Sequence, residues 1–477
     1  MADASLPRRD LLKGLACTPL ALAARGIGRR ALPRVDEIAR EFATLDRAAA
    51  FARLAELRRL GLSPREALGA VLLAGITEIR PRPVGFKLHA VMMVASAHDI
   101  VQRCPERARW LPVFWNLGDL KRAQERDVAE GDWRLEPAGP GTTAPDAVSR
   151  LEAAVRADDA DPEDVDRTCR DAFVSADADE AFDALWPRAV GDYHNLGHKP
   201  IHAAQCRRAL DHLGWQHGEP VLRGVAFALI APGNERARAA EAAVGKAAAS
   251  LRAGWADGAC EPGAARTILA RLRPCDAEAA VRAVATASGE GASAATLWDA
   301  MRLRAIELLY NRPGLLAVHP LTALNAFRTI AARTARETTR RAALLQCAAW
   351  LGNYRGDLRV GDGARALDAL TPLATDDPPE RVFTIAAEDR DAAMRAALHH
   401  AATPPGRAAL GEAASAVLVR KAREHHDYKF AAAVLAEAAV AHEAVAPFLL
   451  AGACSYLRHA GEPDSPDVTA ALRSMAV

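Results

Sequence analysis

Ser63-Pro64-Arg65-Glu66-Ala67-Leu68-Gly69-Ala70-Val71-Leu72-Leu73-Ala74-Gly75-Ile76-Thr77 is the stretch that decides the fold class. Ser63 and Glu66 stand at capping-box spacing, and Pro64 takes the first helical position, where a missing N–H costs nothing. The apolar residues beyond them recur at helical period, which predicts a helix to about Thr77. Comparable starts follow at Asp161-Pro162-Glu163-Asp164, from Ser175 to Glu180 and at Asp276-Ala277-Glu278. Alternating β-branched runs do not persist, and no turn dipeptide separates two apolar runs as a hairpin requires. The fold expected is all-α, a non-repetitive multi-helix bundle with no substantial sheet, because no fixed period marks a helical array.

Outward from that stretch, Gly85 to Cys104 is apolar around most of its circumference (Phe86, Leu88, Val91, Met92, Met93, Val94, Ile100), which predicts a helix inside the protein. The 477 residues carry 61 basic and 60 acidic side chains, a net charge of +1, so no global field draws the chain to nucleic acid. No apolar run is long enough for membrane insertion. Eight cysteines without a Cys-x-x-Cys pair exclude zinc ribbons and thioredoxin-type redox chemistry. Residues 1–30 read as a twin-arginine export signal: Arg8-Arg9-Asp10-Leu11-Leu12-Lys13 precedes an uncharged stretch ending Ala21-Leu22-Ala23. That reading makes the twin-arginine machinery a partner and places the protein in the periplasm or outside the cell; without it the protein is cytoplasmic. Residues 31–477 form the helical domain, with a subdomain boundary at the linker 131–146, whose centre is the Pro- and Gly-rich run Glu136 to Pro145.

Histidines carry the candidate chemistry. His89 and His98 share one apolar segment, but nine residues at 100° each put them on opposite faces, hence in different surroundings. His194, His198 and His202 gather at a helix entrance with Pro200 in its first turn, and the i,i+4 pair His198/His202 has the spacing of two ligands to one metal. His217 has the position of a cap. His319 precedes Pro320 at another helix start, followed by the polar stripe Thr322, Asn325, Thr329. His425 and His426 lie three or four residues before Lys429. Lysine is scarce: only Lys13, Lys87, Lys121, Lys199, Lys246, Lys421 and Lys429 occur among the basic residues. Arginine cannot become neutral whereas a desolvated lysine can, and a neutral amine can act as base, nucleophile or carbamate precursor, which makes Lys87 and Lys121 candidate catalytic lysines. Phe86, Trp110, Phe114 and Trp115 are a candidate aromatic wall for a small-molecule substrate. Dinucleotide, phosphate-loop, His-Glu-x-x-His and Gly-x-Ser-x-Gly motifs do not occur, nor do the repeated Glu-x-x-His pairs of helical di-iron sites.

The blocks Gly85-Phe86-Lys87-Leu88-His89, Gly197-His198-Lys199-Pro200-Ile201, Val318-His319-Pro320-Leu321-Thr322 and His426-Asp427-Tyr428-Lys429-Phe430 look like those of exported bacterial helical proteins. More distantly they resemble the questin oxidase-like family, in the same order along the chain. The resemblance implies an all-helical oxidoreductase that opens aromatic or quinone-like rings with dioxygen. It further implies a non-haem iron held by His89, His198, His319, His426 and a carboxylated Lys429. The expectation is therefore a metal-dependent oxygenase. The alternatives are a non-enzymatic helical scaffold, whose histidines are caps and core residues, and a zinc hydrolase.

Overall fold

The computed structural model describes residues 34–157, 159–191, 193–230 and 235–476, so the export motif lies outside the described residues. Among the described residues there are 23 α-helices and six short 3-10 turns, and no strand. The chain is all-α, and its helical arrangement is non-repetitive. The helix starts follow from local chemistry. Ser63 accepts from the Glu66 N–H while the Glu66 carboxylate accepts from Ser63 N–H, opening the helix Pro64–Glu78. Asp161 caps Pro162–Ser175, and Asp276 caps Ala277–Gly289 through the Ala279 N–H. In the Ser175 to Glu180 stretch the cap is Asp177, boxed with Glu180. Each such cap is worth about 1 kcal/mol.

The segment expected as one buried helix from Gly85 begins differently. A 3-10 turn, Phe86–Leu88, comes first and the α-helix runs His89–Arg103, so His89 is its first residue rather than an interior one. Gly85 (φ 106) and Phe86 (φ 45) are both left-handed, which breaks helical geometry just before it. The helix itself is buried nearly throughout, as its apolar circumference predicts.

Four helices pack against one another. His425–Val440 packs against His89–Arg103 and against His319–Arg333, while His198–Leu213 packs against the latter two. Glu437, fully buried, ties this assembly: it accepts from Arg302 (2.7 Å), Arg328 (2.8 Å) and Asn325 (2.7 Å). A buried carboxylate so surrounded is compensated, and removing its partners would strand the charge. The polar stripe of the His319 helix is thus internal: Asn325 serves Glu437, and Thr322 and Thr329 return to backbone carbonyls. Residues 131–146 carry no helix and lie over the surface, pinned by Leu135 N–H to the Thr77 carbonyl and by Arg223 to the Glu136 carbonyl. Helices from both sides of that stretch pack together. The seven cysteines among the described residues are all free thiols, and no described helix is long and apolar enough to cross a membrane.

Candidate metal centre

Three of the site histidines are built by one local device. His89, His198 and His319 are each the first residue of an α-helix entered through a 3-10 turn. The entry turn leaves a carbonyl three or four residues back within reach of the imidazole. His89 Nδ1 donates to the Phe86 carbonyl (2.7 Å), His319 Nδ1 to the Leu315 carbonyl (2.9 Å), and His198 Nδ1 to the Asn195 carbonyl. A proton held on Nδ1 leaves the Nε2 lone pair free, and the carbonyl fixes the ring plane.

Those Nε2 atoms point at one another. His89 and His198 Nε2 lie 3.0 Å apart, and His198 and His319 Nε2 3.3 Å. His426, second residue of its helix, closes the group, with ring centroids 4.5 Å from His89 and 5.0 Å from His319. One ligand nitrogen from each of the four lies within 4.8 Å of the others, and all four residues are buried. Two imidazole lone pairs facing at 3.0 Å repel unless a proton or a metal cation stands between them. A proton is opposed here. Burial, then the charge of Lys429, pushes the His319 imidazole down to about 3 and the His426 ring lower still. His89 and His198 are likewise held well below the usual imidazole range, by burial first. Their place at helix N-termini, the positive ends of the helix dipoles, works in the same direction. A metal bonded at about 2.0–2.1 Å to nitrogens at 90–109° separates them by roughly 2.9–3.4 Å, the spacing found.

Three further buried atoms, both ring nitrogens of His426 and the Lys429 Nζ, have no hydrogen-bond partner among the described residues. Glu424 Oε2 stands 3.5 Å from His426 Nδ1, the position a carboxylate takes behind a ligand imidazole. Lys429 is 1% exposed, and burial pushes its ammonium down to about 7, with Asp119 opposing. Lys429 lies three residues after His426 on the same helix, and its charge acts on all four imidazoles and on His202. A buried polar atom with no partner costs about 1–3 kcal/mol, more when charged, which a ligand role would relieve.

Compared with protein families, with curated proteins and with solved structures, this chain matches none. The site therefore rests on its own geometry. His425 is the residue that the sequence reading did not nominate: it stacks on His89 (3.9 Å, 25°) and its Nδ1 lies 3.4 Å from Asp119 Oδ2. Adjacency to His426 was its only signal, since Asp119 lies some three hundred residues away in sequence.

The remaining candidates are placed elsewhere. His202 does not pair with His198 in this group; it is buried beside Cys206, with Nδ1 3.7 Å from the Sγ. A helix turns by 400° over four residues, but His198 bends back toward Asn195 and His202 faces the next turn. His217 precedes the helix Gly218–Leu229 without a side-chain cap bond. Lys87 and Lys121, expected as catalytic lysines, are tied to partners outside the imidazole group. Lys87 Nζ pairs with Asp127 and with Glu130 (2.7 Å), and Lys121 Nζ donates to the Phe42 carbonyl (2.8 Å). These contacts hold both amines to groups other than the four imidazoles. Of the expected aromatic wall, Phe114 packs edge-on to Phe51 and Trp115 packs against Tyr428, both as core; Phe86 is 57% exposed.

Proposed function

We propose that this protein is a metal-dependent oxygenase that holds a non-haem iron and uses dioxygen to oxidise an aromatic or quinone-like small molecule. The observation that carries this reading is the convergence of four buried imidazoles, three with Nδ1 anchored to backbone carbonyls, on one point beside an unpartnered lysine. A nitrogen-rich, carboxylate-poor set suits iron, copper or zinc, and the resemblance in the four histidine blocks favours iron and dioxygen among them. Iron bound there would supply the one-electron chemistry that lets dioxygen react with a closed-shell organic molecule.

The chain's own residues then have defined work. His89, His198, His319 and His426 would hold the metal. Lys429, about half neutral near pH 7, can add carbon dioxide at Nζ, losing one proton and gaining a carbamate oxygen ligand. The apolar helix His89–Arg103 and Tyr428 keep bulk water from the chamber. His425, 22% exposed at its side chain and backed by Asp119, stacks on the ligand candidate His89. A scaffold reading leaves the His426 nitrogens and the Lys429 amine buried without purpose. Oxygen consumption by the iron-loaded protein tests the proposal: a panel of phenols and quinones should contain members whose disappearance tracks oxygen uptake. Zinc-loaded protein should show no uptake. Hydrolysis of esters by the zinc form, with no uptake by the iron form, would replace the oxygenase with a hydrolase.

A further inference from the structure

A second group of ligating side chains lies along the same two helices, away from the chamber. His98 and Asp99 come from His89–Arg103, and His212 from the last turn of His198–Leu213. The His98 and His212 rings stack face to face, with centroids 3.6 Å apart and planes 25° from parallel, so a cation held by both would swing the rings out of this stack. One ligand atom from each of His98, Asp99 and His212 lies within 4.8 Å of the other two, and all three side chains are partly exposed. His98 Nδ1 is buried yet has no hydrogen-bond partner among the described residues, while its Nε2 is 3.4 Å from the Gln102 amide. Nine residues at about 1.5 Å each separate His98 from His89, so this group is roughly 13 Å along the helix from the first.

The surroundings are electrically balanced. Arg208 pairs with Asp99 Oδ2, Arg65 donates to the His212 carbonyl, and Asp211 pairs with Arg207 and Arg333. Arg208 thus occupies one carboxylate oxygen and leaves Oδ1 of Asp99. Burial first holds both rings below the usual imidazole range, His98 at about 4. Two imidazoles and one carboxylate oxygen make the three-ligand set of an open zinc-class site, to which water adds the remaining ligand.

We propose that His98, Asp99 and His212 form a second metal site, for a zinc-class divalent cation that clasps the His89 helix to the His198 helix. These are the helices that present His89 and His198 to each other. A cation there would fix the axial register of the pair, and with it the 3.0 Å approach of those two Nε2 atoms. The proposal does not depend on what the first site catalyses.

Zinc stoichiometry of the full chain tests it. Tag-free protein stripped with a chelator and dialysed against buffered zinc should bind about two zinc ions per chain. His98→Ala and His212→Ala should each bind one fewer than the parent, and His319→Ala should also lose one, through the other site. Combining His212→Ala with His319→Ala should remove both. Far-ultraviolet circular dichroism identifies any variant that fails to fold. Asp99→Asn, which keeps the volume, supplies a gentler probe: in the His319→Ala background it should weaken the remaining zinc by about ten-fold or more. The clasp is overturned if His98→Ala and His212→Ala bind as many zinc ions as the parent.

Discussion

Lys429 is one of four lysines, with Lys87, Lys121 and Lys199, that this lysine-poor chain buries. The substitution of arginine elsewhere is what made the survivors conspicuous, because arginine meets every need for a fixed positive charge. As a carboxylated ligand, Lys429 gives two opposed expectations. Lys429→Arg keeps the charge but can never be neutral, so metal content and oxygen uptake should both collapse. Lys429→Glu supplies a carboxylate on a shorter stem and should retain part of the metal. An arginine variant with the parent's metal and turnover would remove the ligand role. The imidazoles make a separate prediction about pH. His89, His198, His202, His319 and His426 are all held below their ordinary value in the fold, His202 and His319 at about 3. As pH falls below about 6.5 the unfolded chain takes up protons there and the folded chain does not, so stability present above that pH is lost below it. Each group contributes up to about 1.4 kcal/mol per pH unit, over the window from 6.5 down to its folded value. Urea unfolding of metal-free protein at pH 7.5 and 5.5 should show this loss; equal stabilities would mean that the imidazoles are not buried as described.

The helix entrances are where sequence and site meet. Pro200 and Pro320 mark two of them, and both were legible because proline belongs in a first helical turn. The third, before His89, was not legible: Gly85 to Cys104 is apolar around most of its circumference with no cap or proline at His89, and only the left-handed backbone at Gly85 and Phe86 starts the helix there. The His198 entrance is the most constrained. Asn195 (φ 49), Leu196 (φ 57) and Gly197 (φ 79) are left-handed in succession, Asn195 is tied to the Val84 carbonyl and Tyr354 donates to Leu196. A Cβ on Gly197 would collide with the Trp350 ring. Gly197→Ala should therefore destabilise the fold by about 1–3 kcal/mol and, by shifting His198, lower metal affinity. Parallel chemical unfolding and metal titration check both effects; an alanine variant with unaltered metal affinity would show that this turn does not set the position of His198.

Across the whole molecule, the helical class was legible from caps and period, whereas the convergence of ligands was not derivable from them. His89, His198, His319 and His426 span more than three hundred residues, and bringing them together depends on which helices pack, which local pattern does not encode. The resemblance read in the four histidine blocks suggested the group; the packing of four helix N-termini supplies its physical reason. The buried Glu437 network joins the helices behind His319 and His426 and holds the two in register. The same dependence on packing hid the pairing of His98 with His212 and of His425 with Asp119. The central claim, that these four N-termini make one metal centre, is tested most directly by the iron content of tag-free protein and of its His198→Ala variant. The account predicts about one iron per parent chain and almost none in the variant, with matching helical circular dichroism. Equal iron in the two proteins, or a parent that neither contains nor takes up a transition metal, would contradict it.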